Sequence, residues 1–218
     1  YNTAHGTPYP TQQPGFGGYP PAGGPGGPGK PGAAPGAPNP YATGAPVPAA
    51  GWYEIYYSMI QPHEHQSFQQ WFFSVDTDRS GSITGNEIAG IQFNGKPLGP
   101  TVGFKLVKVF DRDASGSIDL REYSILHKFL TLMQNAFQQI DIQRVGLLPP
   151  AQIFQAIQSS GFQVSLPTIQ AMAKKFDPAN RGIDFPTYIF MCAHLAHARS
   201  IFEWNDPRRV GAITLTYD

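Results

Sequence analysis

Apolar residues recur at helical spacing in several separate stretches of this chain. Phe68, Trp71, Phe72 and Val75 fall at i, i+3, i+4 and i+7, one face of a helix that begins near Glu64. Leu106, Val109 and Phe110 repeat the pattern over a shorter span. Leu126, Phe129, Leu130, Met133, Phe137 and Ile140 make the longest stripe, about four turns at ~3.6 residues per turn. Ile169, Met172, Ala173 and Phe176 make another, and between Pro186 and Glu203 no Gly or Pro interrupts a second long helix. Upstream lies an aromatic-rich lead-in, Trp52, Tyr53, Ile55, Tyr56, Tyr57, Met59 and Ile60, stopped by Pro62. The stripes read as core, and the expected class is all-α.

Two closely similar strings lie between the stripes. One is Asp76-Thr-Asp-Arg-Ser-Gly-Ser-Ile-Thr-Gly-Asn-Glu87 and the other Asp111-Arg-Asp-Ala-Ser-Gly-Ser-Ile-Asp-Leu-Arg-Glu122. Each is 12 residues long, with oxygen-bearing side chains at positions 1, 3, 5, 9 and 12 and Gly at 6. Ca²⁺ is a hard ion that takes six to eight oxygens at ~2.3–2.6 Å, and this is the spacing of the EF-hand loop. The expected ligands in the first loop are Asp76, Asp78, Ser80, the carbonyl of Ser82, Thr84 through water, and both oxygens of Glu87. In the second they are Asp111, Asp113, Ser115, the carbonyl of Ser117, Asp119 and Glu122. Gly81 and Gly116 allow the sharp turn. Ile83 and Ile118, at position 8, are expected to pair across a short antiparallel bridge. Ser rather than Asp at position 5 trims the charge around the ion, so affinities on the order of 10⁻⁶ to 10⁻⁴ M are expected.

The repeat continues in decayed form. Asp141 to Gln152 keeps Asp141, Gly146 and Leu148 in frame, but Val145 stands at position 5 and Gln152 replaces the bidentate Glu. Pro149 and Pro150 suit a helix start rather than coordination. A fourth copy opens at Asp177, where Ile183 directly follows Gly182, so the loop is one residue short. A fifth opens at Asp206 with Gly211 and Ile213 in register and Arg208 and Val210 at ligand positions. All three are expected to be empty of metal. The intervals between the opening aspartates are 35, 30, 36 and 29 residues. A short interval leaves room for one long helix shared by two hands, and a longer one for two helices and a linker. Hands one and two are therefore expected to pair, as are three and four, and the fifth has no partner within the chain.

Composition divides the chain into a tail, 1–50, and a domain, 51–218. The first 50 residues hold 12 Gly and 13 Pro, and Lys30 is their only Lys, Arg, Asp or Glu. Such a stretch buries too little apolar surface to offset its ordering entropy, so a disordered, partly polyproline-like tail is expected. It is not collagen-like, because Gly does not recur at every third place. The 15 basic and 15 acidic residues balance, which argues against nucleic acid as a partner. No stretch approaches the ~20 apolar residues of a membrane span, and no signal peptide is evident at the start. The sequence opens at Tyr1 rather than Met, as a processed chain or a fragment would. A single cysteine, Cys192, excludes an internal disulfide and fits a reducing compartment. Cys192 reads as an apolar filler and the pairs His194/His197 and His63/His65 as packing or surface residues, since zinc needs more converging ligands.

Five hands behind a Gly/Pro-rich tail resemble the penta-EF-hand family over roughly residues 64–217. The resemblance implies a Ca²⁺ cofactor and a fifth hand that pairs with its counterpart on another molecule, here through Ile213. It also implies a calcium-exposed surface for Pro-rich or apolar protein segments, and a cytoplasmic protein recruited to membranes when calcium rises. Relatives with a full first loop commonly bind calcium at the third hand as well. Asp141–Gln152 departs from that pattern and leaves sensing to the first pair. The chain ends at Asp218 with no exit helix for the fifth hand. Three functions fit: a calcium-dependent sensor or adaptor, the regulatory subunit of a calcium-dependent enzyme, and a calcium buffer or structural protein. No catalytic constellation points to an enzyme.

Overall fold

The computed structural model describes residues 51–208 and 210–213; the expected tail, 1–50, lies outside them. The described residues are all-α apart from four two-residue strands. The elements are α1 (Trp52–Ser58), α2 (Glu64–Val75), α3 (Gly85–Gly90), β1 (Gln92–Phe93), β2 (Lys96–Pro97), α4 (Pro100–Phe110), α5 (Leu120–Ile140), β3 (Leu147–Leu148), α6 (Pro150–Ser159), α7 (Leu166–Phe176), β4 (Ile183–Asp184) and α8 (Phe185–Asn205).

The helix-loop-helix units follow the expected spacing. Ile83 and Ile118 form an antiparallel bridge between the first two loops, with N···O distances of 2.8 Å in both directions. Leu148 pairs with Ile183 and Leu147 with Asp184 between loops three and four. The one-residue deletion in the fourth loop therefore falls before Ile183 and leaves the pairing register intact. The two short intervals are each spanned by one helix of 21 residues, α5 and α8. Each is the exit helix of one hand and the entry helix of the next.

The stripes form one core. Phe68, Phe72, Leu106, Phe110, Leu126, Phe129, Met133 and Phe137 are buried and belong to a single cluster with Ile153, Ile169, Tyr188 and Cys192. The aromatic lead-in is part of that cluster. Its helix α1 sets Trp52 edge-on to Phe110 (5.5 Å between centroids) and Tyr56 edge-on to Phe129 (5.8 Å). The indole N–H of Trp52 donates to Ser200 Oγ on α8 at 2.6 Å. Helices α3 and α4 approach closely because both contact positions are glycine. A Cβ at Gly103 would collide with the Gly85 carbonyl, and one at Gly85 would meet the Phe104 ring at 2.6 Å.

The long connection between the first two hands holds a hairpin. Asn94 and Gly95 both have positive φ (48° and 77°), as a two-residue turn between twisted strands requires. The hairpin lays Phe93 on Phe185 at 3.7 Å with the rings 26° apart. This stack joins the first pair of hands to the second.

Candidate metal centre

Every loop is built on the aspartate that opens it. Asp76 Oδ1 accepts from the backbone N–H of Ser80 and Oδ2 from that of Gly81, both at 3.0 Å. Asp111 does the same with Ser115 (3.1 Å) and Gly116 (2.8 Å). Asp141, Asp177 and Asp206 repeat the pair of bonds to the residues four and five further on. The first aspartate thus holds the turn closed without a metal, which is a physical reason for its presence in the loops that have lost their other ligands. The turn also needs left-handed backbone, which Arg79 (φ 57°) and Gly81 (84°), and Ala114 (60°) and Gly116 (85°), supply in the first two loops.

Only the first two loops bring three carboxylates together among the described residues. One oxygen each of Asp76, Asp78 and Glu87 lies within 4.8 Å of the others, and so do oxygens of Asp111, Asp113 and Glu122. Glu87 is the third residue of α3. Its Oε2 accepts from Thr84 N and its Oε1 from Thr77 N, both at 2.8 Å, closing the loop from both ends. Glu122 is the third residue of α5 and accepts from Arg112 N (2.6 Å) and Asp119 N (3.1 Å). Thr84 and Asp119 cap these helices reciprocally, in the capping-box arrangement. The Ser80 and Ser115 hydroxyls donate to the Ser82 and Ser117 carbonyls at 2.9 and 3.0 Å. Each expected side-chain ligand therefore lies within its loop's own hydrogen-bond network.

The two sites differ electrostatically. Hydrogen bonds from Ser80 to Asp78 and from Ser115 to Asp113 hold both carboxyls below their ordinary value. Burial pushes Glu87 up, but hydrogen bonds from Thr84 and Thr77 outweigh it and leave the group low. Glu122 is more deeply buried, and burial wins, raising its carboxyl. The donor set in both loops is hard oxygen with clustered negative charge, which suits Ca²⁺ over softer ions. In the third loop Val145 is exposed and Gln152 points no carboxylate at Asp141, as its sequence implies.

Comparison with known proteins agrees with this geometry. No protein-family model matches the chain. Penta-EF hand domain-containing protein 2 of Dictyostelium discoideum is 37% identical over 164 residues, covering 75% of this chain and 80% of that protein. The chain belongs to the penta-EF-hand family. Human peflin is 30% identical over 161 residues, 72% of this chain, and the chain spans only 57% of peflin's length. The solved structure of a homolog of programmed cell death 6 protein from Leishmania major Friedlin matches with a TM-score of 0.53 at 34% identity, over 71% of this chain and 90% of that one. As a penta-EF-hand protein the chain is a calcium-binding protein, with Ca²⁺ as its cofactor.

Two contributions to the site had no signal in the sequence. The backbone N–H groups of Thr77 and Arg112 hold Glu87 and Glu122, a role any non-proline residue could fill. The Arg112 guanidinium lies 4.8 Å over the Tyr53 ring, so α1 braces the second loop.

His127 lies on α5 close behind the second loop, buried against Phe68, with ring centroids 4.7 Å apart. Burial lowers its pKa from 6.5 to about 4, with Lys128 adding to the effect and Glu64 opposing it. Lys128 and Glu64 form an ion pair at 2.9 Å beside it. The folded chain thus resists protonation of a ring that the unfolded chain protonates below about 6.5. Stability from this group is full above pH 6.5 and declines as pH falls towards 4, by roughly 3 kcal/mol at ~1.4 kcal/mol per unit. Denaturation of the calcium-free protein across that window should be steeper in pH than that of a His127→Leu variant.

Proposed function

We propose that this protein is a calcium-dependent sensor or adaptor rather than an enzyme in its own right. The proposed ligands are Asp76, Asp78, Ser80, the Ser82 carbonyl, Thr84 and Glu87 in the first loop. In the second they are Asp111, Asp113, Ser115, the Ser117 carbonyl, Asp119 and Glu122. The observation that carries the proposal is the double placement of Glu87 and Glu122. Each belongs to a three-carboxylate cluster and is also the third residue of the helix leaving the loop.

Bound calcium supplies the charge that offsets repulsion among the clustered carboxylates. To give both oxygens to the ion, Glu87 must release the N–H groups of Thr77 and Thr84, and α3 must follow its carboxylate. Helix α3 leads directly into β1, where Phe93 rests on Phe185. A shift of α3 therefore loosens this stack and opens the apolar contact that Ile91, Leu98, Leu130 and Phe185 make around it. Such a surface fits Pro-rich or apolar segments of partner proteins. An environment-sensitive apolar dye should brighten when calcium is added to the wild-type chain, and not in a Glu87→Gln, Glu122→Gln variant. Calcium binding with unchanged dye fluorescence would instead make the protein a buffer.

We also propose that the fifth hand pairs with that of a second copy or a related chain. The equivalent residues of the other hands all pair, Ile83 with Ile118 and Leu148 with Ile183, whereas Ile213 pairs with none of the described residues. Sedimentation velocity should show a dimer that an Ile213→Asp substitution converts to monomer; a wild-type monomer at all concentrations would refute it. Cytoplasmic residence, with membrane recruitment at high calcium, completes the proposal.

A further inference from the structure

The third loop has exchanged its metal ligands for an exposed apolar surface. At loop positions 2, 5 and 7 the first loop carries Thr77, Ser80 and Ser82, and the second Arg112, Ser115 and Ser117. The third carries Ile142, Val145 and Leu147 there, and these are 84%, 63% and 40% exposed. They face water rather than the core, so packing does not call for them. The turn is held without them. Asp141 accepts the backbone N–H groups of Val145 at 2.9 Å and Gly146 at 2.7 Å. Arg144 takes left-handed backbone (φ 53°). Leu148, behind the turn, is buried and pairs with Ile183 of the fourth loop. Three apolar side chains within six residues are thus displayed on a braced, convex turn.

The charge around this turn is one-sided. Arg144 is exposed, as are Lys174, Lys175 and Arg181 at the end of α7 and in the fourth loop. None of the four forms an ion pair among the described residues. The acids of the same two loops are turned to backbone N–H groups: Asp141 as above, Asp177 to Arg181 and Gly182 at 3.0 and 2.7 Å, and Asp184 to Thr187 at 3.1 Å. The strand pairing brings the fourth loop against the third, since a Cβ on Gly182 would stand 3.3 Å from that of Leu147. A protein partner would need a concavity matched to this turn, whereas a lipid interface closes around a convex shape of any outline. Apolar side chains flanked by Lys and Arg bind the interface of an anionic bilayer, entering it by ~5–10 Å. We propose that the third loop is an anchor for anionic phospholipid surfaces, with Ile142, Val145 and Leu147 inserted and Arg144 and Arg181 set against headgroup phosphates. The contact needs no metal and is separate from recruitment gated by calcium at the first two loops.

The test is co-sedimentation of the full chain with phosphatidylcholine vesicles, with and without phosphatidylserine, in EDTA. Binding is expected, and it should be stronger when phosphatidylserine is present. An Ile142→Ser, Val145→Ser variant should bind about tenfold more weakly or worse, because two aliphatic side chains are lost from the interface. Both face water in the free chain, so the fold should tolerate the change, and an unaltered far-ultraviolet circular dichroism spectrum checks this. An Arg144→Gln, Arg181→Gln variant should lose most of the preference for phosphatidylserine, about fivefold per charge. Phe104→Ser, at an apolar residue of α4 that is 57% exposed, should change nothing. Several outcomes would overturn the proposal: no binding by the wild-type chain, binding only after calcium is added, binding indifferent to phosphatidylserine, or equal binding by the Ile142, Val145 variant. Loss of self-association in that variant without lipid would also overturn it, by making the patch a contact between copies.

Discussion

Calorimetric titration of this chain with calcium is expected to give about two bound ions, and a Glu87→Gln, Glu122→Gln double variant is expected to lose both. Each substitution keeps the volume and the helix position but removes one negative charge from a three-carboxylate cluster and one oxygen from the bidentate pair. Ca²⁺ needs six to eight oxygens, and five other donors in each loop, two of them serines, cannot replace a carboxylate. The expected loss is on the order of 3–4 kcal/mol per site, roughly 100- to 1,000-fold in affinity. Binding around 10⁻⁵ M would then move out of reach of an ordinary titration. The amide oxygen can still accept the backbone N–H of the capping residue, Thr84 or Asp119, at the loss of the bond from Thr77 or Arg112, so helices α3 and α5 should form and the variant should fold. A third strong site would assign metal to a hand in which the described residues gather no cluster of three carboxylates. No heat at millimolar calcium would mean that both clusters are relics.

The largest structural effect is expected from Phe129→Ala. Phe129 is wholly buried, and its ring meets Phe110 at 5.1 Å and Tyr56 at 5.8 Å. It thereby joins α5 to both α4 and α1. Truncating a buried phenylalanine costs about 3–5 kcal/mol through lost transfer energy and the cavity left behind. That is a large share of the ~5–15 kcal/mol by which a domain is stable. Urea denaturation of the calcium-free protein should show the fall in midpoint. The control is Trp204→Ala, a still larger aromatic that is 86% exposed and should change stability by no more than about 0.5 kcal/mol. Equal losses at the two positions would mean that α1 and α4 do not meet α5 as described.

The local parts of this protein were legible from residues alone. A twelve-residue loop carries its candidate ligands in its own sequence, so the oxygen spacing of Asp76 to Glu87 and of Asp111 to Glu122 could be read directly. The pairing of Ile83 with Ile118 followed from the loop frame, and that of hands three and four from the spacing of the aspartates, because a shared helix has a fixed length per residue; that Ile183 of the shortened fourth loop faces Leu148 was decided by the fold. The apolar stripes announced their helices for the same reason: period is a property of neighbours in the chain.

What the tertiary structure decided depends on residues far apart. The aromatic lead-in carried no assignable pattern, yet Trp52 bonds to Ser200 and Glu203, about 150 positions away. The Asn94–Gly95 turn is an ordinary local signal, but nothing local says that its hairpin seats Phe93 on Phe185. Glu87 and Glu122 occupy the same loop position, yet burial raises the Glu122 carboxyl while hydrogen bonds outweigh burial and lower that of Glu87, because burial is summed over every element that packs nearby. A cavity lined by Phe162, Val164, Leu195 and Phe202 exists only where α8 and the connection from α6 to α7 meet. Local chemistry is written in sequence; burial, coupling and concavity arise when distant segments exclude water together.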